Sequence, residues 1–117
     1  MSGLRMQAGP TRIEGRAKDG WIVAGRLYRP ALLVTAAFAG TLPRLDLAAL
    51  ETVRLPDLDG VDLLLLGTGE SLRRPPAAFA DRLRDRGWRV EPMDSPSAAR
   101  TFNVLAAEDR LVGALIL

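Results

Sequence analysis

The sequence predicts an α/β layer fold, and three observations carry that prediction. The run Leu63-Leu64-Leu65-Leu66 leaves no polar face, as a strand buried on both sides requires, and such strands lie inside parallel or mixed sheets. From Asp62 onward, apolar runs alternate with helix-period stretches in the order β-α-β-α-β. Residues 11–42 instead read as short strands punctuated by glycine and proline, a β-meander that packs onto or extends the sheet. Residues 11–117 are expected to form a single α/β domain, preceded by a disordered tail over 1–10.

In chain order, Thr11 to Ala17 is the first expected strand. Asp19-Gly20 is a two-residue hairpin turn, because both residues tolerate positive φ. Trp21 to Ala24 returns, Gly25 permits a bend or bulge before Leu27-Tyr28, and Pro30 interrupts. Ala31 to Thr35 resumes the pattern, and Phe38 to Leu42 adds a further strand. Pro43 opens a connection in which Asp46 is a candidate N-cap for a short helix, Leu47 to Val53. Leu55 to Gly60 is turn chemistry, and the leucine strand follows.

Pro75-Pro76 opens a helix that runs to Arg86, with Phe79, Ala80 and Leu83 on one face and Gly87 at its C′ position. Trp88 to Met93 alternates as a strand with one wetter face, and Pro92 suits an edge or a strand end. Ser95 is expected to cap the next helix with Pro96 at its first position; Ala99, Phe102, Leu105 and Ala106 form its buried stripe. Leu111 to Leu117 is the second near-continuous apolar strand.

Composition narrows the chemistry. The 117 residues contain no cysteine and no histidine, which excludes disulfides, thiolate metal sites and any histidine-dependent triad within the chain. Net charge is only +2; the pI of 9.9 reflects arginine, Lys18 being the sole lysine. Acidic residues are interleaved with the arginines, so no dense basic stripe invites nucleic acid. No apolar run reaches the roughly 18–20 residues of a membrane span, and Met1 to Pro10 lacks the apolar region of a secretory signal. The expected setting is a bacterial cytoplasm.

Two stretches together carry a family resemblance. One is Leu65-Leu66-Gly67-Thr68-Gly69-Glu70. The other is Met93-Asp94-Ser95-Pro96-Ser97-Ala98-Ala99-Arg100-Thr101-Phe102-Asn103-Val104-Leu105, followed by Glu108-Asp109-Arg110 and a terminal apolar strand. With Gly20-Trp21-Ile22-Val23 and Leu33-Val34 upstream, the chain resembles the family of the mitochondrial respiratory complex I assembly factor 3 and its bacterial and archaeal relatives. The resemblance covers about residues 11–117 and implies a three-layer α/β fold around a mixed central sheet, with the last strand running against the others. It implies no established enzyme activity; the mitochondrial member works with a partner factor in building complex I. No cofactor is expected. This chain departs from the family's pattern at Ser95, where threonine is usual, at Ala99, where cysteine is common, and at Asp109, where glycine is common. Loss of the cysteine argues against a thiol-based activity.

Candidate binding residues follow from position. Gly67-Thr68-Gly69 ends a central strand, where open α/β sheets take ligands. The third glycine of a dinucleotide fingerprint and the Gly-Lys-Ser/Thr of a P-loop are both missing, so a tight structural turn is the competing reading. The helix opening at Ser95 offers free N–H groups and a positive dipole end, with Ser97, Arg100, Thr101 and Asn103 near in sequence. Gly67 to Gly69 and Ser95 could therefore share a crevice for a small anion or a partner's carboxylate. Against this, Ser95 merely caps, Arg100 pairs with Asp94 or Glu91, and Asn103 bonds backbone.

Arg73, Arg74, Arg82, Arg84, Arg86 and Arg89 cluster around one helix, with Asp81 and Asp85 at ion-pair spacing. They read as a solvated face or, more sharply, as a docking surface for acid or RNA. Asp62, Glu70, Asp94 and Glu108 show no spacing that selects a reaction, and no Asp-rich metal loop is present. The expectation is a non-enzymatic interaction or assembly module with a protein partner. The alternative is a small-anion or metabolite-binding protein, and nucleic-acid binding ranks third. Trp88 to Met93 is a strand that could pair across a homodimer.

Overall fold

The computed structural model describes residues 5–6, 12–17, 20–29, 31–35, 38–42, 46–56, 58, 60–108 and 110–117. Most of the expected tail lies outside them, as do Thr11, Lys18, Asp19, Pro30, Pro43, Asp57, Asp59 and Asp109. Within the expected tail, Arg5–Met6 (β1) pairs with Ala39 and Phe38.

The meander divides between two sheets. Ile13–Ala17 (β2), Gly20–Val23 (β3) and Arg26–Tyr28 (β4) form a small antiparallel sheet. Ala31–Thr35 (β5) and Phe38–Leu42 (β6) pair with each other in the main sheet. The meander thus both packs onto the sheet and extends it. Gly20 pairs with Ala17 in the ladder, so it is a strand residue, while Asp19, the other half of the expected turn, lies outside the described residues. A Cβ at Gly20 would run into the Tyr28 carbonyl, so glycine is needed here for close approach. Ala24-Gly25, expected as a bend or bulge, makes the next hairpin turn, both residues at positive φ (52° and 75°) as a primed two-residue turn requires.

The C-terminal half is β-α-β-α-β as expected: Leu63–Gly67 (β7), Ala77–Asp85 (α1), Arg89–Met93 (β8), Ser95–Ala107 (α2) and Val112–Ile116 (β9). The main sheet runs β1-β6-β5-β9-β7-β8 and is mixed. The last strand does not run against all the others. β9 is antiparallel to β5 but parallel to β7, because the 13-residue helix α2 carries the chain back along the sheet, and a helical crossover returns a strand parallel.

Period-two alternation sends the leucines of β7 to opposite layers. Leu65 joins Val34, Ile116, Trp21 and Val23 beneath Ala98 and Phe102 of α2. Leu64 and Leu66 join Leu33 and Leu115 beneath Phe79 and Leu83 of α1 and beneath Leu50 and Leu55. Three layers result: α2 with the small sheet, the main sheet, then α1 with residues 46–56 and Leu58.

The helix expected over Leu47 to Val53 is a single 3₁₀ turn, Ala48–Glu51. Asp46 still serves its start, its carboxylate accepting the Ala49 N–H at 2.8 Å. The turn goes no further because its carbonyls bond elsewhere. The Arg82 guanidinium donates to the carbonyls of Leu50 (2.9 Å), Glu51 (2.5 Å) and Val53 (2.8 Å).

Candidate functional site

The chain leaves β7 for α1 on one face of the sheet and leaves the adjacent β8 for α2 on the other. That divergence makes the carboxyl ends of β7 and β8 a topological switch point, the usual ligand crevice of an open α/β sheet. Gly67, Thr68, Gly69 and Ser95 meet there, as expected of two helix openings that follow parallel strands.

The crevice is closed by the chain's own hydrogen bonds. Thr68 N–H donates to the Met93 carbonyl at 2.9 Å, and Ser95 N–H to the Gly69 carbonyl at 2.7 Å. The Ser95 hydroxyl accepts the Gly69 N–H at 2.9 Å and donates to the Leu117 carbonyl at 2.9 Å. The Thr68 hydroxyl sits between the Ser71 carbonyl (2.7 Å), the Met93 carbonyl (3.2 Å) and the Arg73 N–H (3.0 Å). Ser95 is 2% exposed and Thr68 7%. Gly67 is glycine because a Cβ would lie 2.8 Å from the Ser95 hydroxyl, whereas Gly69 is glycine because its φ is +104°.

The N-cap of α2 is Asp94, not Ser95. The two neighbours are both capping types, and the one whose side chain can turn back over the first helical turn takes the role. The Asp94 carboxylate accepts the Ser97 N–H and the Ser97 hydroxyl, each at 2.8 Å. Pro96 falls in the first turn, as expected. The Ser97 N–H and then the Ser97 hydroxyl, with the nearby Arg100 guanidinium, hold the Asp94 carboxyl below its ordinary pKa. The helix end proposed for an anion thus already holds a carboxylate of this chain.

Arg100 donates to the Ser97 hydroxyl at 3.1 Å. Thr101 is half-buried on α2. Asn103 faces the small sheet instead: its amide accepts the Ile13 N–H and donates to the Ile13 carbonyl, both at 2.8 Å. Of the eight candidate residues (Gly67, Thr68, Gly69, Ser95, Ser97, Arg100, Thr101 and Asn103), the first four share the switch point. Ser97 and Arg100 gather about Asp94.

The arginine cluster separates by role. Arg82 and Arg86 clamp residues 50–56, Arg86 donating to the carbonyls of Leu55 (3.0 Å) and Pro56 (3.2 Å) with its guanidinium 4.3 Å from the centre of the Trp88 ring. Arg84 pairs with Asp81 at 2.9 Å on an exposed face. Arg73, Arg74 and Arg89 are exposed. Arg84, Arg89 and Arg110 rim an open depression beside Asp62 and Trp88, at the amino ends of β7 and β8, remote from the switch point. Among the described residues, every buried side-chain nitrogen and oxygen has a partner, and no three acidic side chains converge on a metal-sized space. No helix among them is long and apolar enough to cross a membrane.

The family model described as "Protein of unknown function (DUF498/DUF598)" matches residues 13–117. The chain belongs to this family. An uncharacterised protein from Rhodobacter capsulatus is 38% identical over 111 residues, covering 94% of the chain and 86% of that protein. NADH dehydrogenase [ubiquinone] 1 alpha subcomplex assembly factor 3 of Danio rerio is 40% identical over 57 residues, 49% of the chain but only 33% of the assembly factor. The resemblance carried by the two sequence stretches is therefore a real kinship, although the matched stretch spans about a third of the assembly factor. Among solved structures, a Bartonella henselae protein described as an outer membrane protein superimposes with a TM-score of 0.77 at 27% identity, covering 93% of this chain and 95% of that one.

Proposed function

We propose that this chain is a non-enzymatic, cytoplasmic interaction module that assists assembly of a multisubunit respiratory complex of the NADH dehydrogenase type. One observation carries the reading: the switch-point crevice is held shut by hydrogen bonds between the β7 and β8 ends, through Ser95, Gly69 and Thr68. The chemistry left facing outward is a surface, chiefly exposed arginines and the β8 edge. Kinship with assembly factor 3 supplies the class of partner.

The alternative, a small anion at Gly67, Gly69 and Ser95, is less well supported. The ligand would have to break those bonds and displace the Asp94 carboxylate. Deleting the gene in its source organism and resolving membrane complexes on native gels tests the proposal. Accumulation of NADH dehydrogenase subassemblies, restored by the wild-type chain, is the expected result. Normal assembly combined with saturable stabilisation of the purified protein by inorganic phosphate would favour the alternative.

A further inference from the structure

Among the described residues, β8 is the outermost strand of the main sheet. The Arg89 N–H donates to the Asp62 carbonyl at 2.8 Å, and the Met93 carbonyl accepts the Thr68 N–H at 2.9 Å. With the register Leu63↔Arg89 through Gly67↔Met93, these bonds turn the backbone groups of residues 89, 91 and 93 toward β7. Strand alternation then turns the N–H and carbonyl of Val90 to the open edge. Pro92, the next outward residue, has no N–H to offer. Arg89 and Glu91 are exposed and share one face of the strand, two residues apart.

The geometry points to a homodimer in which β8 pairs antiparallel with β8 of a second copy about a twofold axis at Val90. In that register the two Val90 residues exchange N–H and carbonyl reciprocally. The flanking positions are non-hydrogen-bonded pairs, the closer kind, with Cα atoms about 4.5 Å apart. They set Arg89 of each copy opposite Glu91 of the other, so symmetry produces the ion pair twice. Neighbouring registers fail on the same residues. An axis at Glu91 opposes two carboxylates and asks Pro92 for an N–H; an axis at Arg89 opposes two guanidinium groups. Pro92 thus shortens the ribbon and fixes its register. The partner is a second copy because the edge is complementary to itself in charge as well as in hydrogen bonding.

Sedimentation velocity on the full chain across a concentration series, at low and high salt, tests the assignment. The expected result is a reversible dimer that weakens with salt. R89E or E91R alone places like charges opposite each other and should weaken association about tenfold or more. The double variant R89E/E91R should recover it. An equimolar mixture of the two single variants should also dimerise, since one copy then brings two carboxylates to the paired positions and the other brings two guanidinium groups. Both positions are exposed, and matching thermal melts would confirm that folding is retained. A monomer at every concentration overturns the proposal. So does a dimer indifferent to the single reversals, or one that neither the double variant nor the mixture restores.

Discussion

The Ser95 hydroxyl accepts the Gly69 N–H at 2.9 Å while donating to the carbonyl of Leu117, so one buried oxygen ties β7, α2 and the end of β9 together. Ser95→Ala removes it and leaves a donor and an acceptor unmet in a site 2% exposed. The expected cost is about 1–3 kcal/mol in urea unfolding. Gly67→Ala should cost a similar ~1–3 kcal/mol by overpacking, since its Cβ would lie 2.8 Å from that oxygen and 3.0 Å from the Ser95 Cα. The two substitutions share a contact, so the double variant should lose less than the sum. Strict additivity would show that Gly67 and Ser95 do not act as a unit.

Asn103 and Ile13 are ninety positions apart, yet the Asn103 amide makes a reciprocal pair of 2.8 Å bonds to the Ile13 backbone. This fixes the small sheet to α2. Asn103→Ala should destabilise by about 1–3 kcal/mol. Its more specific signature is local: amide exchange in β2 and β3 should accelerate before exchange in β7 and β9 does. Uniform acceleration across both sheets would contradict a local tether.

Legibility divides along the range of the interaction. The buried role of Leu64, Leu65 and Leu66, the strand at Trp88 to Met93 and the edge position of Pro92 are all readable, because each rests on local pattern. The meeting of Gly67 to Gly69 with Ser95 is readable from strand order. Closure of the crevice is not, since it depends on one hydroxyl reaching two backbone groups across elements. Ser95 reads as the cap in place of Asp94 because adjacent capping residues look equivalent until the chain's direction is known. The direction of β9 implied by the resemblance holds toward β5 but not toward β7; the helix-length connection before it already argues for a parallel return.

The Arg82 clamp explains why residues 46–56 hold a fixed path with little regular structure. One guanidinium meets three carbonyls, a task suited to a planar fork with five N–H donors. Arg82→Lys should fail to rescue, because an ammonium on a flexible stem cannot reproduce that spread. Both Arg82→Lys and Arg82→Ala should lose about 1–3 kcal/mol and increase proteolytic cleavage near Val53. A lysine variant as stable as wild type would mean that charge alone holds the segment.

Asp94 gives the fold a defined response to acid. Its carboxyl sits below its ordinary pKa, chiefly through the Ser97 N–H and hydroxyl, with Arg100 contributing less. A carboxyl with a depressed folded pKa contributes stability that is fully present above its unfolded value, about 3.9, and is lost as pH falls through the folded value. The stability difference between wild type and Asp94→Asn should therefore stay constant from neutral pH down to about pH 4 and shrink below it. Ser97→Ala keeps the backbone donor but removes the hydroxyl, so the Asp94 pKa should rise part of the way back. Carboxyl carbon NMR titration reads the pKa directly, and urea unfolding across the same pH series reads the stability. High salt should change the pKa little, since hydrogen bonds rather than the exposed arginine dominate the shift. A pKa that returned to the ordinary value in salt would assign the effect to Arg100 instead.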